Sequence, residues 1–183
     1  MIETTKILPT FPFRSIRTRS GTFVDVFDSK PEDFHIEDIA HALSHLCRYG
    51  GHCDPFYSVA QHSIACSYMV SKENALCALL HDATEAYLVD MPRPIKKQLE
   101  VYTELENNLY TVIAKRFDLP NSIPDEVHWA DNEILNYEWY YFMENTPVLD
   151  QKPFYSKFFK KKSCKIIKKQ FIERYEMLLT LKS

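Results

Sequence analysis

Glycine is scarce in this chain, with three in 183 residues. That scarcity disfavours glycine-rich phosphate loops and many-turned β folds, and neither a GxGxxG nor a Walker sequence occurs. Cysteine is present without a pairing pattern. Cys47, Cys53, Cys66, Cys77 and Cys164 form no CxxC, their number is odd, and Cys66 and Cys77 fall in apolar helical stretches. They are expected to be reduced core thiols. No apolar run approaches the roughly 20 residues of a membrane span, and Met1–Lys6 begins no signal-like apolar stretch. A cytoplasmic chain without membrane contact is expected. A net charge of −3 gives no whole-protein attraction to a nucleic-acid polymer, so none is expected as a partner.

What is present is a chain 45% apolar and long enough for one globular core, expected as a single domain over residues 1–183. Pro9, Pro12, Pro31, Ser20-Gly21 and the β-friendly Thr22–Phe27 mark residues 1–34 as an irregular arm with a short hairpin. Apolar periodicity then predicts helices over Ile36–Cys47, Phe56–Val70, Ser71–Leu88, Ile95–Phe117 and Asp125–Asn145. Pro92 and Pro94 predict a non-helical loop, and residues 146–156 a second one. A final helix is expected over 157–183. Its seven lysines between Lys157 and Lys169 form a solvated face opposite Phe158, Phe159, Ile166, Ile167, Phe171 and Ile172. The fold class is therefore all-α, a bundle of about six helices with a minor N-terminal β-hairpin.

The chemistry concentrates in Leu79–Tyr87, where His81 and Asp82 adjoin. His62 lies upstream and Asp131 downstream, each on its own predicted helix. Two imidazoles and two carboxylates from three helices can hold a hydrolytic divalent metal and leave positions open for water and a phosphate. Such donors suit Mn, Co, Fe, Ni or Zn better than Ca, and Mg is also admitted. One ion is expected. On a helix His81 and Asp82 stand about 100° apart, and Glu85 falls on the same side.

With these residues stand Ile39–Ser44, Arg48–His52, Tyr57–Ser63, Asp90–Lys96 and Ala130-Asp131, in that order. From about Phe23 to about Glu138 the chain resembles the HD-domain phosphohydrolases. It is most similar to the small bacterial and phage 5'-nucleotidases of the YfbR-like and YfdR-like kind. The resemblance implies that His62, His81, Asp82 and Asp131 are the metal ligands. It implies that Glu85 positions a water or handles its proton, and that Asp90 assists or braces the loop. Arg48 and Lys96 would clamp phosphate, with Arg93 more suited to a surface role. Tyr49, His52 and Phe23 would line the substrate pocket. The implied activity is hydrolysis of phosphate esters of 5'-(deoxy)nucleoside monophosphates. Two alternatives stay open: a dNTP or dATP triphosphohydrolase of the phage type, and a regulatory domain that binds a nucleotide without cleaving it. The expected partner is a nucleotide, and a homo-oligomer is left open.

Overall fold

A two-stranded antiparallel hairpin, β1 (Ser15–Arg17) and β2 (Phe23–Asp25), opens the residues described by this computed structural model, which are 14–144 and 157–182. Gly21 takes a φ of +101° in its turn, a conformation that a side chain would strain. Ser20 fastens the hairpin to the first helix, its N–H and hydroxyl donating to the two oxygens of Asp38 at 2.8 and 2.7 Å.

Helix α1 (Ile36–His45) buries Ile39, Ala40, Leu43 and Ser44, a stripe at helical spacing. Helix α2 (Val59–Ser67) is buried on every side. Such a helix belongs at the centre of a bundle, and α2 packs on α1, α3 (Ala75–Leu80), α7 (Asp125–Glu138) and α8 (Cys164–Lys182). A capping box fixes where α2 starts: the Ser58 hydroxyl accepts from Gln61 N–H at 3.2 Å, and Gln61 Oε1 accepts from Ser58 N–H at 3.3 Å. Between α3 and α7 lie α4 (Glu85–Leu88), α5 (Arg93–Lys96) and the 18-residue α6 (Glu100–Phe117). After Glu138 the backbone widens into a π turn, Trp139–Met143, with Glu144 N–H bonded to Trp139 O at 3.2 Å.

The all-α expectation and the minor hairpin agree with this architecture. Several boundaries differ. α1 stops two residues short of Cys47, and α2 is shorter at both ends than Phe56–Val70. The single helix expected over Ser71–Leu88 starts at Ala75 and breaks after Leu80. There the His81 Nδ1–H donates to Ala78 O at 2.8 Å, and the following turns close by tighter bonds such as Glu85 N–H to Asp82 O. Pro94 does not prevent helix. It sits in the first turn of α5, where its missing N–H has no helical partner to lose. The helix expected over Ile95–Phe117 is therefore two, interrupted at Lys97–Leu99. The last helix begins at Cys164 rather than Lys157. Phe158 and Phe159 are buried, but from a non-helical segment held by Gln61 Nε2, which donates to Phe158 O and Lys160 O at 3.0 and 3.1 Å. The arm over residues 1–13, Asn145 and the loop at 146–156 fall outside the described residues.

Candidate metal centre

Central α2 presents His62 from its buried middle. The tightened turn after α3 presents His81 and Asp82, and α7 presents Asp131 from its first half. These groups converge. His62 Nε2 lies 3.1 Å from Asp131 Oδ1 and 3.8 Å from Asp82 Oδ2, and His81 Nε2 lies 3.2 Å from Asp82 Oδ1. Ligands about 2.0–2.2 Å from one ion stand at such mutual separations.

The tautomers favour a cation. His62 Nδ1–H donates to Glu138 Oε1 at 2.7 Å, and His81 Nδ1–H donates to Ala78 O. In both neutral rings the Nε2 lone pair therefore points into the cluster. His81 Nε2, Asp82 Oδ2 and Glu85 Oε2 are buried with no hydrogen-bond partner among the described residues. Two of these, His81 Nε2 and Asp82 Oδ2, belong to adjoining residues of the cluster and would be costly unless another group completes them. Carboxylates held in the charged form gather here too: Asp82, Asp131 and Glu138 all have lowered pKa values, and Arg48 and Arg93 are each paired with one of them. The residues fit a divalent ion on all three counts.

Without such an ion, the close packing of these groups shifts their pKa values. Burial disfavours charge on His81, but Asp82 outweighs it and raises the imidazole pKa. Burial is likewise outweighed at His62, chiefly by Cys66 and Glu138 against an opposing Arg48, and its pKa stands well above the ordinary value. Asp82 is held down to about 2 by His81 and His62 despite burial. Burial, then Asp82 and Asp90, push the Glu85 carboxyl well above its usual range.

Cys66, expected only as a core thiol, stands closer to this chemistry than that. Its Sγ lies 3.5 Å from His62 Nε2, and the donor atoms of His62, Cys66 and His81 all fall within 4.8 Å of one another. This buried trio can hold a metal ion. Burial raises the thiol pKa, which works against the thiolate a metal would require. The two carboxylates are already charged.

Asp82 and Asp131 of this cluster line a cavity of about 650 Å³. Arg48, Tyr49, His52, Glu85, Asp90 and Lys96 all line it. A second cavity of about 580 Å³ shares Asp82, Arg93, Lys96 and Asp131 with the first and is lined by His81 as well. Phe23 does not belong to the site. It is 41% exposed and lines neither cavity, because alternation along β2 turns Val24 into the core and Phe23 outward. Arg93 has more than a surface role, donating to Asp131 Oδ2 at 2.9 Å and Asn132 Oδ1 at 3.0 Å. The chain leaves α4 through Val89, whose φ of 63° and ψ of 160° are strained for a β-branched residue. Asp90 follows directly.

Sequence reasoning missed Glu138. This fully buried carboxylate joins the two halves of the site: Oε1 accepts from His62, and Oε2 accepts from Arg48 Nε at 3.1 Å and the Tyr49 hydroxyl at 3.3 Å. Arg48 Nη2 lies 3.0 Å from the same oxygen. Burial disfavours the Arg48 charge, but Glu138, then Asp82 and Asp90, outweigh it and raise the guanidinium pKa well above its ordinary value. The available signal was spacing, since Glu138 stands two helical turns after Asp131 on one side of α7. Leu135, Trp139 and Met143 were missed with it.

No family model matches the chain. It is similar to the protein YfdR of Escherichia coli strain K12, described as uncharacterized, with 43% identity over 116 residues that cover 63% of this chain and 65% of that protein. It is also similar to an uncharacterized protein of Rhodobacter capsulatus, with 39% identity over 124 residues, 62% of this chain and 63% of the relative. The chain thus matches somewhat less than two thirds of the length of either relative.

Proposed function

We propose that this chain is a metal-dependent phosphohydrolase of the HD-domain kind that cleaves the phosphate ester of deoxynucleoside 5'-monophosphates. One observation carries the reading. Both imidazoles have Nδ1 committed, so both Nε2 atoms meet Asp82 and Asp131, the two carboxylates that line a cavity shared with Arg48, Arg93 and Lys96. His62, His81, Asp82 and Asp131 would hold one divalent ion. When bound there it supplies Lewis acidity to a phosphoryl oxygen and makes a water more acidic.

The chain's own residues do the rest. Arg48, anchored by Glu138, and Lys96, anchored by Glu106, offer fixed cations to the phosphate and to charge developing on it. Their anchors keep them oriented before substrate arrives. Glu85 is buried with one oxygen unpartnered and lines the cavity, and burial, Asp82 and Asp90 raise its pKa, which favours a carboxyl that can hold a proton. A cation beside Asp82 would draw that value back down. Asp90 sits on the same wall, where a second acid can assist or brace the loop.

A cavity of about 650 Å³ is in the range that holds small ligands such as a mononucleotide. The triphosphate alternative wants further cations for its tail. Beyond the two clamps, Arg93 is the remaining Lys or Arg among the described residues that line the cavity, and it is engaged by Asp131, which favours the shorter substrate. A purely regulatory binder would have no use for the unpartnered Glu85 oxygen. The test is a screen of metals against deoxynucleoside mono- and triphosphates, reading phosphate, pyrophosphate and tripolyphosphate separately. Inorganic phosphate from dAMP is expected. Tripolyphosphate from dATP with dAMP untouched would overturn the monophosphate reading, and binding without any release would leave the regulatory one.

A further inference from the structure

Asp131, Leu135, Trp139 and Met143 recur every four residues along α7 and the π turn that continues it, and all four line the larger cavity. A helix rises 1.5 Å per residue, so Trp139 stands about 12 Å along the axis from Asp131. The stripe runs from the candidate metal ligand to an aromatic rim.

Two features separate Trp139 from an ordinary exposed side chain. It is 46% exposed, yet its ring is held: the indole N–H donates to Glu144 Oε1 at 2.9 Å. Tyr49 meets it near edge-on, with centroids 6.2 Å apart and planes at 63°, and Tyr49 is held in turn by Glu138. Neighbouring Tyr140 and Tyr141 are also exposed but do not line the cavity. An aromatic pair anchored by its polar atoms, with ring surface left on a cavity wall, is arranged to receive a flat apolar partner. The π turn that carries Trp139 is itself a feature found most often at functional sites.

We infer that Trp139, with Tyr49, is a stacking site for a nucleobase, and that α7 sets its distance from the phosphate centre. The inference rests on the nucleotide reading above and adds the group that recognises the base. Every base has a π face, so stacking requires a base while tolerating its identity. The site therefore discriminates nucleotides from base-free sugar phosphates rather than one base from another.

The chain has two tryptophans, and Trp129 is exposed and lines neither cavity, so Trp129→Phe leaves Trp139 as the sole indole reporter. Binding of dAMP, dTMP and 2-deoxyribose 5-phosphate to the metal-loaded full chain is measured by calorimetry and by Trp139 fluorescence. Glu85→Ala is included so that ligand is not consumed, and hydrolysis by the unmodified chain is scored separately. Both nucleotides are expected to quench Trp139 and to bind roughly ten- to a hundredfold more tightly than the base-free phosphate, which leaves the emission unchanged. Trp139→Ala should remove that preference and leave affinity for 2-deoxyribose 5-phosphate within about twofold. Saturating dAMP without quenching, or a preference that survives Trp139→Ala, overturns the stacking site and leaves the hydrolase reading standing. Quenching and preference without hydrolysis by the unmodified chain would do the reverse. Failure of every ligand to bind would refute both.

Discussion

Replacing Glu138 by Gln keeps the shape of the side chain and removes its charge. The native carboxylate accepts from His62 on one oxygen and from Arg48 and Tyr49 on the other. An amide has one oxygen. Either it accepts from His62 and turns an NH₂ toward the guanidinium, or the reverse, so one of the two contacts is lost in either orientation. Arg48 would then be buried with Asp82, 4.0 Å away, as its remaining close counter-charge. Removing one member of a buried pair costs about 3–5 kcal/mol. For a chain of this size that corresponds to roughly 6–20 °C in melting temperature. Freeing the imidazole from its carboxylate should weaken the metal about 10- to 100-fold. The assays are urea unfolding of metal-free protein and competition for Mn against a fluorescent chelator. Stability within about 1 kcal/mol of the parent, together with metal affinity within about threefold, would refute the assignment of Glu138 as the joint between His62 and Arg48.

The donor set is tested by comparing Asp131→Asn with Cys66→Ser: the first should abolish stoichiometric metal binding and the second change it by less than about threefold. The opposite pattern would give the ion to the thiol trio of His62, Cys66 and His81. Glu85→Ala should retain metal and bound nucleotide while turnover falls roughly 10²–10⁴-fold; a rate within a few-fold of the parent removes Glu85 from the chemistry. The pH dependence follows from the raised values at His62 and His81. A group whose folded pKa exceeds its unfolded one contributes stability that is complete below the unfolded value, near 6.5, and is lost as pH rises through the folded value. Metal-free protein should therefore melt at lower temperature as pH rises above about 6.5, while stabilisation by added Mn grows over the same interval because the ion no longer competes with protons. A metal-free melting temperature that climbs across that interval contradicts the assignment.

The proposed ligands were easy to pick out because their signal is local. His62, His81, Asp82 and Asp131 each fall on or beside an apolar helical pattern, and residue type alone suggests a metal. The helix break after Leu80 was not legible, since the apolar periodicity runs on through Ala83 and the His81 ring bond to Ala78 O that accompanies the break leaves no periodic trace. Glu138 was hidden for another reason: its partners His62 and Arg48 lie 76 and 90 residues away, and an acid on a helix reads as exposed until packing buries it. Phe158 and Phe159 were correctly taken as buried but wrongly as helical, because an aromatic pair in a loop pinned by Gln61 has the same composition as a helix face. Phe23 was placed by resemblance, and strand alternation overrode it.

The most direct test adds Mn stepwise to metal-stripped protein and follows, in the same samples, bound ion by elemental analysis and phosphate released from dAMP. Phosphate release should rise linearly to one bound ion per chain, stop there, and be absent at every step in Asp131→Asn. Undiminished release from the metal-stripped chain, or a chain that binds one ion and releases no phosphate from any deoxynucleotide, would contradict the proposed function.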